Sequence, residues 1–287
     1  MFNFALKLRD PKGLIAPKGP SQTRFRTIRC TIDGTEILFK APPHQNFRGA
    51  RQKHEPATLN INSSTIFSNN IDIDAKDEGS KSHWNESLFF AYSWPFNGPW
   101  FTGQVASVHL SFKLIKIINY PPDISLFHPR SLEKIIGDHL SHIYSTYILS
   151  HRGHIQQFMA PVNWTPLSNL PVGGASLDVV SQEFYIHESR RHVYFPIFND
   201  VLASLIFVPH RFGDKTKSEK DKLVDEQPLL EFINHIISSI RLNLSRDSLN
   251  QQAKALNGLE DTSIATCHPP LKWDNLNEDD RLKISQK

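Results

Sequence analysis

Residues 183–244 constrain the fold most tightly, because three short β-rich runs separated by turn signals give way to one amphipathic helix. Glu183–His187 is rich in residues that suit a pleated, half-buried surface, and Glu188–Arg191 reads as a turn. His192–Phe198 is the predicted return strand, Asn199-Asp200 a second turn and Val201–Val208 a third strand. Beyond a charged loop, Pro228 suits the first turn of a helix whose Leu229, Ile233, Ile236, Ile240 and Leu244 share one face. Such a meander closed by a helix is a unit that can bury a core.

The first half follows the same plan. Phe25–Lys40 predicts a hairpin turning at Asp33-Gly34, because a type I′ turn needs positive φ at both central residues. A loop from Ala41 to Pro56 and a polar stretch over 57–80 follow; then Ser87–Ser93 is apolar and aromatic, and Trp94-Pro95 breaks it. Ala106, Val108, Leu110, Phe112 and Leu114 alternate with Ser107, His109, Ser111 and Lys113, which predicts a strand with one buried and one wet face. Tyr120-Pro121-Pro122 stops it, and Ser131 opens a helix with Leu132, Ile135, Ile136, Leu140, Ile143 and Tyr147 on one side. Pro161–Gly174 reads as irregular, and Leu249, Ala253 and Leu256 fit a short final helix.

The expected class is α+β: antiparallel sheets with amphipathic helices packed on one face, in two similar β-rich/helix units. The units are 1–155 and 156–246, with 247–287 a polar tail; the alternative is a single domain with one continuous sheet. The 287 residues, 39% hydrophobic, are enough for a substantial core, and nineteen Phe against two Met favour rigid aromatic packing. The start of the chain lacks a secretory pattern and no run of about 18 apolar residues occurs, so a cytoplasmic protein without a membrane span is expected. Cys30 and Cys267 read as two reduced thiols. Residues 1–56 hold eleven Lys and Arg against four acids, a local balance of +7, but the charges are scattered and read as a solvated face rather than a nucleic-acid site.

Four groups of residues could carry chemistry. His139 and His142, and His151 and His154, stand three apart, a spacing that can converge on a metal; the metalloprotease helix motif needs four with an intervening Glu, so His139 reads as a core histidine and no metal is expected. Gly174-Ala175-Ser176-Leu177-Asp178 approaches the nucleophile elbow but has Asp where the last Gly is required. Cys267-His268 and the Asp72/Asp74 pair read as loop. No phosphate-binding glycine motif is present, so no cofactor is expected.

An aromatic cluster, Trp84, Phe89, Phe90, Tyr92, Trp94, Phe96, Trp100 and Phe101, carries no Lys or Arg between its ends, which counts against base stacking. It reads as core first; as an interface, Trp84, Trp94, Phe96 and Trp100 would be its anchors. The strand-rich stretch Arg191–Ile197 and the helix Phe232–Ile240 give the chain a resemblance to some bacterial proteins associated with type VI secretion, among them immunity proteins that neutralise a cognate toxin. That resemblance implies a non-catalytic protein whose partner is another protein, a toxin, and transfers no functional residue. The alternatives are a hydrolase with a non-standard site around His139, His151, His154 and Ser176, and a small-ligand binding module.

Overall fold

Ala106, Val108, Leu110, Phe112 and Leu114, all fully buried, mark the centre of the molecule in a computed structural model of the chain. The structure describes residues 13–45, 58–60, 67, 84–99, 102–118, 124–144, 148–149, 155–156, 158–159, 161–181, 188–213 and 215–267. The strands are β1 (Arg26–Ile32), β2 (Thr35–Ala41), β3 (Thr58–Leu59), β4 (Trp84–Asn97), β5 (Gln104–Ile117), β6 (Ile148–Leu149), β7 (Ile155–Gln156), β8 (Val162–Pro166), β9 (Ala175–Val179), β10 (Arg190–Phe198), β11 (Val201–Arg211) and β12 (Arg241–Asn243). The helices are α1 (Pro129–Tyr144), α2 (Lys217–Asp221), α3 (Gln227–Ser238) and α4 (Arg246–Leu256).

Six strands form an antiparallel sheet in the order β4-β5-β11-β10-β9-β8. A second sheet runs β12-β2-β1-β3, antiparallel except for the short β3 beside β1. The apolar face of β5, with Val193, Phe195, Ala203, Leu205 and Phe207, meets Ile28, Cys30, Ile37 and Phe39 of the second sheet and Leu229, Ile233 and Ile236 of α3. Phe39 stacks on Phe90 at 6.1 Å between ring centres, and Phe232 sits edge-on to Trp94 and Phe96. The other face of the large sheet is covered by α1 through Leu132, Ile135, Ile136 and Leu140 against Ile115, Leu177 and Leu202. The α+β expectation therefore holds, with helices on both faces of the large sheet rather than one.

The hairpin turns where predicted, with Asp33 at φ 42° and Gly34 at φ 79°. β5 pairs with β11 from Lys116↔Val201 to Ala106↔Arg211, so residues on either side of 155 share one sheet. The predicted wet face of β5 is only partly open. Ser107 is fully buried, and Lys113 is held by Glu86 beneath α1.

Proline placement misled the reading of strand ends. β4 runs through Pro95 to Asn97 because it is the sheet edge, where one side of the backbone needs no ladder partner. β11 continues through Pro209 because β10 pairs with it only as far as Phe207. Within Pro161–Gly174, read as irregular, the structure has the edge strand β8, with a bulge between Val162 and Thr165 and Asn163 at φ 58°. The helix expected to reach Leu244 ends at Ser238, and Arg241–Asn243 pair with β2 instead. Ile236, Ile240 and Leu244 fit a helix at spacing four, but Ile240, Leu242 and Leu244 also alternate, and the edge of β2 offers backbone partners. The Glu183–His187 strand lies outside the described residues. Within the predicted tail, α4 is a full helix and Ile264 is buried against α1.

Candidate functional site

The polar residues of the large sheet collect on its outer face, and strand alternation explains why. On β5 the apolar set points inward, which turns Ser107, His109 and Lys113 outward; on β10 the same logic turns Arg190, His192 and Tyr194 outward. α1 lies over part of this face and adds His139 and Tyr144.

A buried chain of hydrogen bonds results. Arg190 Nη1 donates to the Tyr144 hydroxyl at 3.4 Å, and that hydroxyl lies 2.6 Å from His192 Nε2. His192 Nδ1 is 3.0 Å from the Tyr194 hydroxyl, which is 3.3 Å from His139 Nδ1. His139 Nε2 is 2.7 Å from Glu86 Oε1, and Lys113 Nζ donates to Glu86 Oε2 at 2.6 Å. Arginine only donates and carboxylate only accepts, so the ends polarise the chain. His192 is neutral, so one of its ring nitrogens accepts and the other donates. His139, Tyr144, His192 and Tyr194 are at most 1% exposed. Burial, and then the Arg190 charge, push the His192 pKa down. Burial, reinforced by Tyr144, pushes that of Tyr194 up. Burial also works against the Glu86 carboxylate, yet the hydrogen bond and charge of His139 and the Lys113 ammonium outweigh it and hold its pKa well below the usual range.

A second polar group lies further along β4, β5 and β11. The Ser93 hydroxyl is 2.7 Å from His109 Nδ1 and the Ser107 hydroxyl 3.0 Å from His109 Nε2, while the Ser93 backbone N–H donates to His44 Nδ1 at 3.0 Å. His210 stands 6.4 Å from His109 between ring centres. Burial, then the neighbouring His210 and His44, lower the His109 pKa, so the ring is neutral at pH 7. A third group is fully ionic: Glu188 and Arg211, each with a side chain 1% exposed, pair at 3.2 Å, and Lys220 adds a contact to Glu188 at 3.2 Å.

The residues singled out in the sequence do not assemble. His139 is buried while His142 is exposed, so their spacing does not bring both to one point. Ser176 lies next to Leu177, whose face of β9 is the one shared with His192, so the serine points to the opposite side of the sheet. His151, His154, His268, Asp72 and Asp74 lie outside the described residues. Among the described residues no group of three His, Cys, Asp or Glu is arranged to hold a metal ion. The interface expectation is corrected at three of its four residues: Trp84 (7% exposed), Trp94 (0%) and Phe96 (1%) are core side chains, and Trp94 Nε1 donates to Pro42 O at 3.0 Å. Trp100 lies outside the described residues. Cys30 is buried, Cys267 exposed, and both are free thiols. A cleft of about 320 Å³ lies elsewhere, between the Pro166–Gly174 segment and α4, with Phe127, Leu167, Gln252, Leu256, Ser263 and Ile264 among its lining residues.

Glu86, His192 and Tyr194 were missed because they come from strands far apart in sequence, and Ser93 and His109 because their meeting depends on the register of β4 on β5. Their one signal was a polar residue every second position in otherwise apolar strands, at Ser107/His109 and at His192/Tyr194. No described helix is long and apolar enough to cross a membrane. No family model, no curated protein and no solved structure matches the chain.

Proposed function

We propose that the protein acts in the cytoplasm by stoichiometric binding of another protein, in the manner of an immunity protein that blocks a toxin. One observation carries the non-catalytic part of this reading. Both ring nitrogens of His109, His139 and His192 are taken by protein side chains, so the histidines best placed for chemistry are committed to holding strands and α1 together. The resemblance of the β10-to-α3 region to immunity proteins supplies the partner class. The test is to co-express the chain with the product of the adjacent gene: a 1:1 complex that relieves growth inhibition supports the reading, and independent migration of the two proteins defeats it.

The Ser93–His109 contact favours a second reading, a hydrolase in which neutral His109 takes the proton of the Ser93 hydroxyl. A fluorophosphonate probe decides between the two. Labelling lost in Ser93→Ala would establish the hydrolase; an unlabelled protein leaves the binding reading standing.

A further inference from the structure

We propose that the outward face of β12-β2-β1 is a docking surface for an acidic protein surface. The inference rests on the protein-binding reading and assigns it a place and a partner chemistry.

In this sheet Ile28, Cys30, Ile37, Phe39 and Leu242 point into the core, so the alternate residues point out. The registers Arg29↔Leu38 and Leu38↔Arg241 put two guanidinium side chains on either side of one half-buried leucine. Adjacent strands lie about 4.8 Å apart, so the two arginines start about 10 Å from each other. Lys40 follows Leu38 on the same face of β2 and is exposed; Arg24 and Arg26 are exposed where the chain enters β1. The Arg29 side chain is 66% exposed.

The one carboxylate on these strands' outer face, Glu36, is already engaged. Arg29 lies 3.5 Å from it and Asn243 Nδ2 donates to it at 3.3 Å. Arg241 Nη1 donates to Ile240 O at 2.7 Å and Ser238 O at 3.0 Å, which holds its guanidinium at the sheet edge. Exposed cations around a small apolar centre match an acidic surface with an apolar residue at its middle, which gains orientation and association rate from complementary charge. A nucleic acid fits less well. The outer face of these strands carries no aromatic ring for base stacking.

The test uses the full chain with poly-L-glutamate and a DNA duplex as probes, followed by fluorescence anisotropy at low and high salt, in the wild type, the double variant Arg29→Glu/Lys40→Glu and the control Lys254→Glu on α4. Expected are salt-sensitive binding of poly-L-glutamate, weakening of at least about tenfold in the double variant, and wild-type behaviour in the control. Equal binding by the wild type and the double variant overturns the proposal, as does tighter binding of the duplex through the same two residues. An unchanged melting temperature in the double variant excludes unfolding as the cause. If the adjacent gene product binds wild type and double variant equally, the protein-binding reading survives and this surface is wrong. If it binds neither while the peptide result holds, the surface stands and the choice of partner fails.

Discussion

Replacing Tyr194 with Phe tests whether the buried chain beneath α1 stabilises the fold. The substitution keeps the ring and its packing, so the cavity created is small, and removes only the hydroxyl between His139 Nδ1 and His192 Nδ1. Both nitrogens lie in fully buried or nearly fully buried rings, and each loses its partner. A buried donor or acceptor left unsatisfied costs about 1–3 kcal/mol, so the two together predict a loss of about 2–6 kcal/mol. The assay is urea unfolding, with a lower midpoint at unchanged slope. Tyr144→Phe gives a second arm, because Tyr144 acts on the same His192 ring through Nε2 at 2.6 Å. The double variant should then depart from additivity by about 0.5–3 kcal/mol. A Tyr194→Phe protein within about 0.5 kcal/mol of the wild type, with additive behaviour in the pair, would refute the claim that these groups form one network.

Phe112→Ala should cost about 3–5 kcal/mol in the same assay, since the side chain is fully buried between the two sheets. Glu188→Ala leaves Arg211 and Lys220 as buried cations without their shared carboxylate and should cost about 3–5 kcal/mol, read as a lower unfolding midpoint. Stability should fall as the pH drops from 7. His192 is neutral in the fold with a pKa below its ordinary 6.5, so the unfolded chain takes up a proton first; Glu86, also depressed in the fold, adds its loss below its ordinary 4.5. Unfolding midpoints from pH 7 to pH 4 check this, and His192→Gln should flatten the part above pH 4.5. N-ethylmaleimide should modify Cys267 and spare Cys30 in the native protein, because burial pushes the Cys30 thiol up to about 12, as mass spectrometry after brief labelling will read.

Local pattern made most elements legible. Asp33-Gly34 specifies its own turn, and the alternation from Ala106 to Leu114 fixes which side of β5 is core. What local pattern cannot carry is which strand lies beside which. Nothing within β5 announces β11 as its neighbour, and the second sheet needs Arg241–Asn243 from two hundred residues away to complete its edge. The candidate site suffered for the same reason. His139 was recognisable as a core histidine from its place in the α1 stripe, but its partners Glu86 and Tyr194 come from strands on either side of that helix in sequence. The aromatic cluster read as core first, and Trp84 and Trp94 do fill the core from a continuous edge strand.

The long β5–β11 ladder also has a consequence for how the chain is made. When β5 leaves the ribosome, the strand that must cover its free edge is still about a hundred residues from being synthesised. At about 5–20 residues per second, that edge waits roughly 5–20 seconds. During that interval β5, paired with β4 on one side, leaves the backbone edge that β11 will cover unpaired, a state that invites pairing with other nascent chains. A truncation ending before Val201 should therefore be recovered as aggregate rather than as a folded half, and slowing translation between 118 and 200 should lower the soluble yield of the full chain.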